Sequence, residues 1–379
     1  MTKNNIYFPN LNGIRCIAAL MVIISHLELN KSYFNLENHF HEVRHLGRLG
    51  VSLFFVLSGF LITYLLIKEK EVNGKIKISF FYWRRVLRIW PLYYFIVLLS
   101  LFILPKISLF HIPNLHLDFD TNSQFFLVCL LFICFLSNLL ISIKIVPFAT
   151  QTWSIGTEEQ FYFIWPLLIN KISNLKNWFL FIIVFYNVLL LLLSLSFLDG
   201  IKYIMIIRDY SASIQLDSLT IGALGAYYLH KNHHFIKRIA NDVSFVLAIL
   251  ILMLALVYNF QVPYFNSSFY AVLFITIILN LVYNKRLLKV LEIKPFTYLG
   301  KISYGLYMYH QIMIVLCINI LLKFDFVNTI TLYILSIIST VIVAGLSYEF
   351  LEKPFLKMKY KWSIFNTSTN PKTVNNISI

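Results

Sequence analysis

Charge is scarce in this chain, and negative charge scarcer still: of 379 residues only 13% are charged, with 17 Asp or Glu against 32 Lys or Arg. A soluble domain carries about a quarter charged residues, so an ordinary water-facing surface is excluded. Long polar stretches are also missing. The longest are 30–47, 68–85 and the tail from Lys353, which leaves almost nothing for a soluble domain, so any chemistry is expected to be built from helices and short connections. Cysteine is limited to Cys16, Cys129, Cys134 and Cys317, all within apolar segments and without ligand-like spacing to histidine. They read as core residues, and no disulfide framework or metal site is expected. The loop histidines His39, His41, His45, His230, His233 and His234 show no metal-ligand pattern either. No small-residue cleavage site follows the first apolar stretch, which is expected to stay as a span.

What the chain has in abundance is hydrophobicity: 59% of residues are apolar and the mean hydropathy is +0.74. Apolar stretches recur near 11–29, 48–67, 86–104, 124–142, 150–169, 177–198, 210–229, 242–260, 267–283, 304–322 and 328–350, each near the length that crosses a bilayer as a helix. The expected fold is all-α, a polytopic membrane helical bundle.

The net charge of +15 does not point to nucleic acid, because the basic residues are dispersed and no basic platform accompanies them. It serves topology instead. Basic clusters at 68–88, at 231–238 (Lys231, Lys237, Arg238), at 285–294 (Lys285, Arg286, Lys289, Lys294) and after Lys353 should all face the cytoplasm. With Lys3 inside, strict alternation through all the stretches would place 231–238 outside. The conflict disappears if one of 124–142 and 150–169 fails to cross. The expectation is therefore about ten transmembrane helices plus one re-entrant or tilted segment, in a bacterial cytoplasmic (inner) membrane with both termini cytoplasmic. Residues 1–355 would form the membrane-embedded domain and 356–379 a short, disordered cytoplasmic tail; Asn-x-Ser/Thr matches such as Asn366 carry no information there.

Several ionisable residues interrupt the apolar stretches. Arg15 and His26 share the first one; eleven residues is roughly three helical turns, so both point the same way roughly 16 Å apart. Buried charge in a membrane is costly and marks a functional site by default, against a bland reading of a snorkelling arginine and a packing histidine. In FFYWRRVLRIWPLYY, Arg85 and Arg88 lie three apart on one face beside Arg84. Guanidinium forks suit phosphates, although an aromatic belt with inside-positive charge also accounts for the segment. TWSIGTEEQFYFIWPLL places Glu158 and Glu159 inside the anomalous stretch. At most one of the two faces His26, where a carboxylate would orient the imidazole as a base. Ser58, between Gly50 and Gly59, reads as close helix packing, and no nucleophile elbow is present. Asp217 lies in SIQLDSLTIGALGAYYL, and Lys301, Tyr304, Tyr307 and His310 in YLGKISYGLYMYHQ. Lys301, His310 and Glu352 read as interhelical polar contacts, whereas Asp217, if buried, needs a partner.

Taken in order, Arg15-x10-His26, GVSLFFVLSGFLI, the Arg85-x-x-Arg88 of RRVLR, TWSIGTEEQFY, LDSLTIGALGA, ISYGLYMYH and YEFLEKPF resemble the integral-membrane acyltransferase family 3, bacterial O-acyltransferases that modify cell-surface polysaccharides. The resemblance covers about Leu11 to Phe355. It implies transfer of an acyl group, usually acetyl, from cytoplasmic acyl-CoA, acetyl-CoA for acetyl, to a hydroxyl of a carbohydrate or glycolipid acceptor, with the lipid bilayer as surroundings, no permanently bound cofactor and no metal. It maps functional residues onto Arg15, His26, Arg85 and Arg88, and Glu158 ahead of Glu159. His26 and Glu158 are then the catalytic pair, Arg15, Arg85 and Arg88 the donor-binding set, and Glu159, Asp217 and Tyr304 further candidates. Ile155 and Gln215 depart from residues usual in the family. With only a short tail after the last span, no esterase-like domain is expected, and transfer would then rest on the membrane core or on a separate extracytoplasmic partner. The rival reading is a transporter or flippase of the donor or of a lipid-linked sugar, with the same residues lining its path.

Overall fold

The structure, a computed structural model, describes residues 6–359 apart from 39, 41, 42, 114, 116, 120, 232, 285, 286 and 288. Lys3, His39, His41, Lys285, Arg286 and the tail from 360, with Asn366, lie outside the described residues.

The bundle is all-α, and no strand occurs among the described residues. In order, the helices are α1 (Leu11–Tyr33), α2 (Arg44–Asn73), α3 (Ile78–Leu98, continued by a π turn and a short 3-10 turn to Lys106), α4 (Asn122–Ile133), α5 (Leu140–Ile143), α6 (Thr152–Lys171), α7 (Leu175–Leu193) and α8 (Ile204–Ile214). They continue as α9 (Leu216–Lys231), α10 (His233–Ile239), α11 (Asp242–Val257), α12 (Asn266–Tyr283), α13 (Lys294–Lys301), α14 (Ser303–Lys323), α15 (Thr329–Ser347) and, through a π turn, α16 (Lys353–Lys359). Seven of these segments are long and apolar enough to cross a membrane. The protein is a multi-pass membrane protein. On α15 the exposed Ile330, Ile334, Ile338 and Ile342 recur every four residues, a stripe that water would penalise and a bilayer accommodates.

Local chemistry sets the ends. Asn328 accepts from the backbone amides of Ile330 and Thr331 to cap α15, Asn241 and Ser244 form a reciprocal capping box on α11, and Gly74 closes α2 with φ of 71°, a conformation that suits glycine.

Glycine also brings helices together. A Cβ on Gly59 would collide with the Leu219 carbonyl, and one on Gly222 with the Val56 carbonyl. α2 and α9 therefore cross backbone to backbone, as small residues permit in lipid.

Two features of the packing place the anomalous segment. Ser58, Thr63 and Lys70 of α2 bond in sequence to Glu158, Trp165 and the Ile169 carbonyl of α6, so α2 and α6 run parallel. α4 has only 12 residues, roughly 18 Å against the ~30 Å of a hydrocarbon core. Its continuation breaks at Phe135, which has φ of 56°. Of the two stretches, 124–142 is thus the interrupted one and 152–171 the continuous helix. Cys129 is only partly buried and Cys134 is exposed, correcting their reading as core residues: α4 turns little of its surface into the bundle, whereas Cys16 and Cys317 are buried.

Candidate active site

α1 and α2 are antiparallel, with the Ser25 hydroxyl donating to the Arg44 carbonyl at 2.7 Å and Gly50 set against the Ala18 carbonyl. Ser58 is eight residues beyond Gly50, so it lies at the very start of α1, about one turn beyond Arg15 and within reach of that long side chain. There Glu158 accepts from Ser58 Oγ at 2.6 Å and from the Tyr162 hydroxyl at 2.9 Å. Arg15, Arg85, Arg88 and Glu158 are close enough for their charges to interact. The Arg85 guanidinium lies over the rings of Phe81 and Tyr162, 5.4 and 5.3 Å from their centroids, and its Nε is buried without a hydrogen-bond partner. Arg15 Nη1 donates to Asn12 Oδ1 at 3.2 Å. Among the described residues none of these three arginines forms an ion pair within 4 Å of a carboxylate. Arg84 behaves differently and pairs with the buried Glu69 at 3.3 Å. Three clustered guanidinium groups with donors to spare have the chemistry to receive an anion, and phosphate matches their fork geometry.

About three turns further along α1 stands His26. Its Nδ1 lies 2.9 Å from Nε2 of His310, a residue of α14 with no exposed surface; the rings are stacked with centroids 4.9 Å apart. The neighbouring Asn30 amide donates to Gln311 Oε1 at 2.8 Å. Beyond them Glu28, fully buried, accepts from Lys31 at 3.0 Å and from the Tyr333 hydroxyl at 2.7 Å, so that buried charge is paired, as burial requires. Between the two levels the Tyr307 hydroxyl lies 2.7 Å from Ser154 Oγ and donates to the Gln151 carbonyl. Polar groups thus form a column along α1, α6 and α14, with arginines at the end where α1 begins and histidines toward the other.

The structure gathers Arg15, Arg85, Arg88 and Glu158 and leaves His26 apart from them. The expected pairing of Glu158 with His26 is corrected: the carboxylate bonds to Ser58 and Tyr162, and helix rise puts roughly 16 Å between the Arg15 and His26 levels. His310 is the interhelical polar contact the sequence suggested, and its partner across the α1–α14 interface is the His26 ring. Ser58 is likewise more than packing, being a ligand of Glu158. Glu159 accepts from Trp90 Nε1 at 3.0 Å. The Tyr304 hydroxyl donates to the Ile89 carbonyl at 2.8 Å. Asp217 is fully buried and accepts from Ser267 and Ser268 at 2.5 and 2.6 Å, which supplies the partners a buried carboxylate needs and ties α9 to α12. A cavity of about 300 Å³ touches Arg48, Ser52, Gln215 and Ser267 and none of the expected site residues. The sequence reading missed His310 and Tyr162 as site residues. His310 carried the same signal as His26, a histidine in a membrane-length apolar helix.

Residues 8–349 match the profile of a family described as an acyltransferase domain. A Staphylococcus aureus protein of strain MRSA252, provisionally named an O-acetyltransferase, is 28% identical over 388 aligned residues, covering 97% of this chain and 60% of its own length. The O-acetyltransferase OatA of S. aureus strain NCTC 8325 is 29% identical over 390 aligned residues, covering 94% of this chain and 58% of its own length. The chain thus spans about three fifths of the length of these relatives. No solved structure matches.

Proposed function

The chain belongs to this acyltransferase family, and on that premise we propose that it is a membrane O-acyltransferase, moving an acyl group, acetyl in the simplest case, from acyl-CoA to a hydroxyl of a cell-surface or lipid-linked carbohydrate. The observation that carries the reading is the polar column: an arginine cluster at one level and a histidine about three turns away on the same helix. With the N-terminus cytoplasmic, as the basic clusters favour, the arginines lie on the donor side and His26 toward the acceptor side.

Arg85 and Arg88 would hold the phosphates of the donor, with Arg15 and Glu158 fixing the mouth around them. An extended phosphopantetheine arm covers the distance to His26. There the imidazole removes the proton of the acceptor hydroxyl, whose oxygen attacks the thioester carbonyl. The C–S bond breaks as the ester C–O bond forms, and the departing thiolate recovers the proton from the imidazolium. In an acyl-imidazole route the imidazole attacks the thioester carbonyl and the C–S electrons leave with sulfur; the acceptor oxygen then attacks, the C–N bond breaks back to neutral imidazole, and the hydroxyl proton ends on the thiolate.

The test compares O-acetyl groups on surface carbohydrates, by mass spectrometry, in cells carrying the wild type or His26→Ala at equal protein level. The proposal expects the modification to vanish in the variant. Undiminished acetylation refutes it.

A further inference from the structure

His310 Nδ1 lies 2.6 Å from the Tyr307 carbonyl one turn back on its own helix. A carbonyl only accepts, so Nδ1 of His310 carries a proton. A second proton on the same ring would place an uncompensated cation on a side chain with no exposed surface, which is costly. His310 Nε2 is therefore a lone pair, and the group 2.9 Å away, Nδ1 of His26, must be the donor. By elimination the unprotonated atom of His26 is Nε2.

Resting on the acyltransferase reading, we propose that His310 is a positioning residue that fixes the tautomer and ring orientation of His26, so that Nε2 of His26 is the atom that takes the acceptor proton. The chain of bonds runs from the Tyr307 carbonyl through His310 to His26 and replaces the carboxylate that usually orients a catalytic imidazole. No proton leaves His310 during the cycle. When Nε2 gains the proton of the acceptor hydroxyl, the positive charge on His26 is shared through Nδ1–H with the His310 lone pair, and it is discharged when the thiolate is protonated. If the route runs through an acyl-imidazole, the same Nε2 attacks the thioester carbonyl and the same bond holds the ring. An ionised carboxylate would have held His26 more strongly but would have needed a compensating charge at this depth; a neutral histidine needs only the carbonyl of its own helix.

The experiment has two arms. In the first, the full chain with 15N-labelled histidine is placed in lipid vesicles and the tautomers are read by solid-state NMR, with His26→Gln and His310→Gln assigning the signals. The inference expects protonated Nδ1 on both rings and an unprotonated Nε2 on His26, a tautomer kept in His310→Gln and lost in His310→Leu; an Nε2–H tautomer of His26 in the wild type overturns it. In the second, release of coenzyme A from acetyl-CoA is followed with membranes supplying the acceptor. His310→Leu, which offers no acceptor, should lower kcat about 100-fold or more with KM unchanged, the scale of a lost positioned base. His310→Gln, whose amide oxygen can accept from Nδ1–H, should stay within about tenfold of wild type. Equal losses in both variants, or no loss in His310→Leu, overturn the inference. A wild type that transfers no acetyl refutes the proposed function instead, and the tautomer arm still decides this one.

Discussion

Replacing Arg85 by lysine keeps the charge and removes the fork. The guanidinium lies 5.4 and 5.3 Å from the Phe81 and Tyr162 ring centroids, and its buried Nε has no partner within the protein, so a phosphate is free to take paired hydrogen bonds from it. A hydrogen bond to a charged group contributes about 1.5–3 kcal/mol. Losing one of a pair should therefore raise KM for acetyl-CoA by roughly 10- to 150-fold, at 1.4 kcal/mol per tenfold. The assay is release of free thiol by the protein in proteoliposomes, run in parallel with acetyl-CoA and with S-acetyl-pantetheine, which has the same thioester and lacks the nucleotide phosphates. If Arg85 reads phosphate, KM rises for acetyl-CoA and is unmoved for the truncated donor. An equal change for both donors, or none for either, would refute the assignment and leave Arg85 as packing between two rings.

Glu158→Ala should leave the Ser58 hydroxyl without its acceptor and Tyr162 with only Ser58 Oγ at 3.2 Å, at about 1–3 kcal/mol, and a fall in Tm in detergent, larger than for Ser58→Ala, checks it. Gly59→Val should drive a side chain into the Leu219 carbonyl and cost about 1–3 kcal/mol or more, read as a lower Tm or as loss of monodisperse protein; an unchanged Tm would mean the helices can part at no cost. Asp217→Leu should remove the acceptor of Ser267 and leave Ser268 only its bond to Asn187, and destabilise more than Asp217→Asn, again by thermal unfolding. For topology, single cysteines at Phe110 and Ile145 in a cysteine-free chain should react with an impermeant reagent from the same side, because α4 is too short to cross; labelling from opposite sides would show that 124–142 spans.

The all-α membrane architecture was legible because hydropathy and segment length depend on sequence alone. Charge parity singled out 124–142 and 150–169 as a pair of which one should not cross, and the structure interrupts the helix of the first. Which of the two it was depended on the break at Phe135, where the chain turns in a positive-φ conformation that its apolar sequence does not announce. The same boundary applies to the site. An eleven-residue spacing fixes that Arg15 and His26 share a face, since helix geometry is local. It says nothing about which neighbour faces them or at what height, because that depends on the register between helices. Glu158 was therefore credited to His26 when its partners are Ser58 and Tyr162. His310, in a helix dense with tyrosines, went unrecognised as the partner.

The central claim is covalent transfer across the polar column, and labelled acetyl-CoA supplied to the cytoplasmic side of inverted vesicles carrying the protein tests it most directly. The account predicts that label appears as an ester in the membrane carbohydrate fraction with wild type and is absent with His26→Ala. Label that crosses the membrane still attached to coenzyme A, or esters formed equally by the variant, would contradict it.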